Sequence, residues 1–194
     1  MDGLAEAFQR FERVPIPLAG RRASAVAIVV SDDGEPGMWL TRRTPKLRAH
    51  PGQFALPGGR FDDGEDAVDA AVRELREELG IIVGRERCLG LLDDYATRSG
   101  YVITPVVLRC DDGQRPEPNP AEVAEVHRIP LGDLDVEPRY LTIPESDRPV
   151  IQLPLLGRLL HAPTAAVLFQ FRELALHGRQ TRVAELEQPV FAWR

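Results

Sequence analysis

Gly59-Arg60-Phe61-Asp62-Asp63-Gly64-Glu65 and, seven residues further on, Arg73-Glu74-Leu75-Arg76-Glu77-Glu78-Leu79-Gly80-Ile81 form the stretch on which the reading of this chain turns. Val68, Ala71, Val72, Leu75 and Leu79 recur at helical spacing and make one apolar stripe. Gly80 follows the last of them, where a left-handed C-terminal cap suits glycine. A helix from about Glu65 to Leu79, packed on a core along that stripe, is the expectation.

The acids on this helix are placed awkwardly. Glu74, Glu77 and Glu78 are related by i+3 and i+4, so they share one flank and repel one another. They also crowd the C-terminal turns, where the helix dipole disfavours each anion by roughly 0.3–1 kcal/mol. A solvated acidic face would carry the same residues, with Asp69–Arg73 and Arg73–Glu77 as i, i+4 pairs. Two neighbouring features favour a bound cation instead. Leu56-Pro57-Gly58-Gly59 predicts a tight turn where backbone approaches a ligand closely, and Glu65 and Arg73 are spaced to clamp that segment to the helix. Hard divalent ions such as Mg²⁺ and Mn²⁺ take carboxylate oxygens and keep waters for a phosphate substrate.

A basic cluster lies just upstream. Arg42, Arg43, Lys46, Arg48 and His50 fall within nine residues of a chain whose net charge is −6. Arginine forks bind phosphate in bidentate fashion, so Arg43 and Arg48 are candidate substrate contacts, while Lys46 reads as a surface cation. Surface cations that keep a loop soluble would have the same composition.

Residues 59–81 resemble a complete Nudix box, with Gly59, Glu65, Arg73, Glu74, Leu75, Glu77, Glu78, Gly80 and Ile81 at the family's positions. The resemblance implies an α/β fold, an α/β/α sandwich with a mixed sheet. It further implies metal-dependent hydrolysis of a nucleoside diphosphate linked to another moiety, with Mg²⁺ or Mn²⁺ as cofactor. By resemblance Glu74 and Glu78 are metal ligands, Glu77 is a further ligand or base, and Glu65 and Arg73 orient them. Gly58 and Gly59 would let the diphosphate approach. Glu122 precedes Val123 as in a downstream Glu-Val pair that completes the site in related enzymes, although an exposed loop-edge acid would look the same. The general base stays open among Glu77, Glu65 and Glu122.

The segment Leu40 to Gly59 is similar to the added signature of the coenzyme A pyrophosphatase branch, through Arg43, Arg48, Gly52 and Pro57 to Gly59. It departs from that pattern at Trp39, Thr44 and Leu56, and His161-Ala162-Pro163-Thr164-Ala165 lacks the branch's Trp-Gly. The implied products from coenzyme A are 3′,5′-ADP and 4′-phosphopantetheine. Another Nudix substrate such as ADP-ribose or a dinucleotide is the first alternative, and a nucleotide-binding module without hydrolysis the second. A homodimer is implied by analogy with family members.

Composition narrows the classes. The 194 residues suit one domain, divided here into a helical extension over 1–22 and the hydrolase domain over 23–194. Apolar residues at 43% can build a sizeable core. Negative net charge and aromatics at only 6% argue against nucleic acid as partner, leaving a small-molecule nucleotide. No run reaches the roughly 18–20 apolar residues of a membrane span, so a cytoplasmic protein with no membrane partner is expected. Cys88 and Cys110 form no CxxC pair and read as buried free thiols.

Elsewhere the pattern predicts an amphipathic helix over residues 1–14 and strands over 23–30, 38–42, 88–95, 101–110, 123–129 and 150–155. It also predicts turns over 31–34 and 130–134, a proline loop over 111–120, and an amphipathic helix over 164–177. His127, Tyr95 and Tyr101 read as packing residues.

Overall fold

The structure is a computed structural model that describes residues 2–32, 34–47, 50–111 and 113–193. Asp33 of the expected turn and Arg48, the candidate phosphate contact, lie outside the described residues. In chain order the elements are α1 (Asp2–Gln9), β1 (Arg22–Ser31), β2 (Gly37–Arg43), β3 (Phe54–Ala55), β4 (Gly58–Arg60) and α2 (Ala67–Leu79). Then come β5 (Cys88–Leu91), β6 (Tyr95–Ala96), β7 (Tyr101–Arg109), β8 (Val123–Pro130), β9 (Arg139–Ile143), β10 (Ser146–Leu155), β11 (Arg158–His161) and α3 (Thr164–His177).

β1 organises the molecule. It pairs parallel to β7 from Arg22 to Val30, antiparallel to β2 at Val30 and Ser31, and antiparallel to β4 at Ser24 to Val26. The mixed sheet runs β3-β2-β1-β7-β5, with β8 on β2 and β6 on β7. β1 is apolar at every position from Ala25 to Val30 because both faces are covered. Its period of two sends Ala25, Ala27 and Val29 to one core and Ile28 and Val30 to the other. The small residues face α2, which contributes Ala70, Ala71, Leu75 and Leu79. The larger ones face α1, α3 and a second sheet, β11-β10-β9. The result is the expected α/β/α sandwich.

Local chemistry sets the ends of α2. Asp66 is the N-cap, accepting from the amides of Val68 and Asp69, while Asp69 reaches back to the Asp66 amide. That capping box starts the helix two residues later than the pattern predicts. Gly80 closes it in the left-handed region at φ 65°.

Three expectations need correction. The strand expected over 88–95 breaks into β5 and β6. Gly90 is extended tightly against Phe8 of α1, and the Asp93 and Asp94 carboxylates accept the amides of Val14 (2.7 Å) and Ile16 (2.9 Å) instead of continuing a strand. The helix over 164–177 is where the pattern puts it but is not amphipathic. Gln170, Arg172 and Glu173 are buried, and each is bonded to other parts of the chain, Gln170 to Asp93 and Thr181, Arg172 to Asp135 and Glu173 to Arg179. Cys88 is only half-buried, whereas Cys110 is buried. The segments β3, β4, β9 and β11 were not foreseen; they are two to five residues long and too short to show a period. Among the described residues no helix is long and apolar enough to cross a membrane.

Candidate active site

The acidic flank of α2 is less exposed than its sequence implies. Glu78 is 2% exposed, and its Oε1 has one long hydrogen bond, from the Gly58 amide at 3.4 Å. Burial pushes its carboxyl up to about 7, and the charges of Glu74 and Glu122 add to the rise while Gly58 and Arg43 oppose it. Glu74 is raised too, first by burial, against the pull of Arg73 and with Glu77 and Glu122 contributing. Glu74, Glu78 and Glu122 therefore lie within one another's field. Glu77 remains on the exposed edge.

Arg73 is the clamp. Its Nε and Nη2 hold the two oxygens of Glu65 at 2.8 and 3.0 Å, and Nη2 also donates to the Arg60 carbonyl at 2.9 Å. Nη1 reaches Glu74 at 2.8 Å and Glu77 at 3.3 Å. One guanidinium thus ties the strand before the helix to the helix flank. The hydrogen bonds from Arg73 hold Glu65 below the usual carboxylate range.

The glycine pair acts differently from the sequence expectation. Gly58 and Gly59 do not form a turn; they are strand residues of β4 facing Val26 and Ala25 of β1. Neither has a positive φ. Close packing explains them. A Cβ on Gly58 would stand 2.3 Å from the Ala25 carbonyl oxygen, and one on Gly59 would stand 2.0 Å from Glu74 Oε1. Glycine at position 59 leaves the space that the Glu74 carboxylate fills.

Glu122 arrives from the far side of the chain. The loop before β8 satisfies the open C-terminal carbonyls of α2, with the amides of Glu117 and Asn119 donating to Leu79 (2.7 Å) and Glu78 (2.9 Å). Thr44, next to Arg43, donates its amide to the Glu122 carbonyl at 2.9 Å. The half-buried Arg43 therefore faces the acids, and its buried Nε has no hydrogen-bond partner among the described residues. Burial and the Arg43 charge lower the pKa of His50 in the same loop. Among sequence-chosen residues, Glu65, Arg73, Glu74, Glu77, Glu78, Glu122, Arg43, Gly58 and Gly59 converge here. Tyr95, as expected, packs, with its hydroxyl on the Leu186 carbonyl at 2.8 Å. His127 does not: it is half-buried and lines a separate cleft with Glu125.

Among the described residues no group of three or more His, Cys, Asp or Glu side chains is placed to hold a metal ion. The donors nevertheless suit a hard divalent cation. Glu78 is a buried carboxylate with almost no protein partner, its neighbour Glu74 shares its repulsion, and both offer only oxygen. Glu74 and Glu78 would hold such an ion, with Glu77 at the rim.

The profile of the NUDIX domain matches residues 20–153. The uncharacterised Nudix hydrolase NudL of Photorhabdus laumondii is 37% identical over 58% of this chain and 60% of its own length. NudL of Pectobacterium atrosepticum is 36% identical over 64% of this chain and 65% of its own length. The matched stretch thus spans about three fifths of these relatives. A Nudix hydrolase of M. smegmatis, RenU, shares the fold at TM-score 0.54 and 21% identity, over 84% of this chain and 91% of that one.

Proposed function

The chain belongs to the Nudix family of hydrolases, and from that premise we propose that it cleaves the diphosphate of coenzyme A or a related nucleoside diphosphate derivative. The observation that carries this reading is Glu78: a carboxylate sealed in the core beside a second acid, under an arginine and against a glycine strand. A stable fold has no use for such a charge, since burying it costs several kcal/mol, on the order of a Born penalty after relaxation.

A divalent ion held by Glu74 and Glu78 would neutralise phosphate charge and acidify water. The protein groups have their own roles. Arg43, whose charge faces the acids, grips a non-reacting phosphate. Arg73 fixes Glu74 and Glu65 in place. Glu65 is a poor base because both its oxygens carry Arg73. Glu77 is paired to the same arginine. Glu122 lies within the field of Glu74 and Glu78, and it takes the proton of the attacking water. Water adds to one phosphorus, the bridging P–O bond breaks, and each product leaves with a phosphate. Coenzyme A would give 3′,5′-ADP and 4′-phosphopantetheine.

The test is a product screen with coenzyme A, ADP-ribose and NADH, with and without Mg²⁺ or Mn²⁺. Equimolar 3′,5′-ADP and 4′-phosphopantetheine, formed only with metal, is the expected result. Turnover of ADP-ribose with coenzyme A untouched would remove the coenzyme A assignment. A chain that turns over none of them is a binding module.

A further inference from the structure

On the α3 side of the sheet, between β2–β3–β8 and the β10–β11 hairpin, lies a cleft of about 440 Å³, within the usual range for a small-molecule site. Phe54, His127, His161, Phe191, Arg42 and Arg158 line it. We infer that this cleft is the specificity pocket for the adenine ring of the substrate. The inference rests on the hydrolase reading above for the identity of the ligand.

The rings provide the first argument. Phe54 lies 5.5 Å from the His127 ring and Phe191 5.2 Å from that of His161. Phe191 is 57% exposed, an unusual setting for a phenyl ring in a chain with few aromatics. Flat apolar faces of this kind stack nucleobases.

Polar edges provide the second. Gln152 Nε2 stands 2.8 Å from His161 Nε2, and an amide nitrogen can only donate, so His161 Nε2 accepts and its proton sits on Nδ1. Glu125 Oε2 stands 3.1 Å from His127 Nε2 and can only accept when ionised, so in the neutral ring His127 Nδ1 is an acceptor. No described residue engages either Nδ1. The cleft therefore offers one N–H and one acceptor nitrogen, the complement of adenine N7 and N6–H₂. Hypoxanthine presents two acceptors on that edge, N7 and O6.

Position and charge provide the third. Gln53 lines the cleft, and its carbonyl accepts the amide of Arg43, the residue that faces Glu78. Arg158 has no ion-pair partner among the described residues and is available to a phosphate on the ribose. Arg42, by contrast, is committed to Glu125 at 2.7 Å and to the Gly52 carbonyl.

Calorimetric titration of the full chain with ADP and with IDP, in EDTA to keep divalent ions from the acid cluster, tests the inference. ADP should bind about tenfold or more tightly than IDP. Phe191→Ala should weaken ADP about tenfold. His127→Ala should erase the preference for ADP over IDP. Equal affinity for ADP and IDP in the wild type overturns the inference. So does a Phe191→Ala chain that binds as wild type. Phe191 is on the surface, so its variant will fold; Arg158→Ala, with weaker binding of 3′,5′-ADP than of AMP as the expected change, is a second variant. The hydrolysis screen is read separately. Adenine-selective binding without turnover removes the hydrolase and keeps the pocket, and turnover without selectivity does the reverse.

Discussion

Glu78 shows how one side chain separates stability from function. Its charge is desolvated and met by a single long hydrogen bond, so the fold gains little from its being an acid. Glu78→Gln is expected to cut turnover at least about a hundredfold, by loss of one metal-binding oxygen. The metal-free protein at pH 8 should melt at the same temperature or higher, because the amide carries no charge to desolvate. A variant with wild-type turnover would remove Glu78 from the site. Gly59→Ala makes the converse case. Its methyl would collide with the Glu74 carboxylate, whose flexible end can move aside. The expected outcome is a large loss of kcat with a shift in melting temperature of a few degrees. A collapsed melt would mean that the strand, rather than the carboxylate, gives way.

For the elements, the α2 ends explain why the acids are held so firmly. The capping box at Asp66 and the left-handed Gly80 define the helix length, and the loop over 117–122 covers its last carbonyls. Hydrogen bonds from Arg85 and from local amides draw the Asp66 carboxyl down to about 2. Arg85 also pairs with Asp69, but all three groups are well exposed, so these ion pairs add little. Asp66→Ala should therefore cost about 1 kcal/mol through the lost cap, readable in urea denaturation, with turnover nearly intact. A loss above about 3 kcal/mol would mean that the Arg85 pairs matter more than their exposure allows. At this scale the sequence was most legible where an element is long. The stripe from Val68 to Leu79 and the run from Ala23 to Val30 folded as their patterns indicate, and a helix formed over 164–177 where one is expected. It was least legible where tertiary contacts override local pattern, as at Gly58 and Gly59. Glycine there reads as a turn, but it is a strand squeezed between a carbonyl and a carboxylate. The outward polar residues of α3 misled for a similar reason. Gln170 bonds the Asp93 carboxylate and amide and the Thr181 carbonyl, so its polarity is spent inside.

The whole molecule is closed by polar ties between distant parts of the chain. Asp93 and Asp94 hold the segment before β1, and Arg182 from the C-terminal stretch bonds Asp93. Glu187 is buried and links that stretch to the β6–β7 turn through Arg98 at 2.5 Å, and to β10 through the Ser146 hydroxyl at 2.8 Å. Burial alone would raise its pKa, but Arg98, the Gln188 amide and Ser146 outweigh it and take the carboxyl down to about 2. The folded value lies below the unfolded one, so the contribution is complete above about pH 4.5 and is lost as pH falls toward 2. It amounts to about 3 kcal/mol at most. Glu187→Gln should therefore lower stability at pH 7 by roughly 2–3 kcal/mol, and its deficit against wild type should shrink on acidification from pH 5 to pH 2.5. A deficit that stays constant would assign the effect to packing.

Read as letters alone, the chain already specified its acid-bearing helix and its longer strands, while the resemblance to the Nudix family implied the sandwich and the residues that would meet around the helix. Helical and strand periods are local properties, and the spacing of Glu65, Arg73, Glu74, Glu77 and Glu78 is set by a single element and its approach. Folding in three dimensions decided the rest. It sank Glu78 into the core, brought Glu122 and Arg43 to it from the loop before β8 and the end of β2, and set two phenyl rings and two imidazoles around one cleft. Burial, electric field and shape depend on what the remainder of the chain places nearby, and no local pattern encodes that.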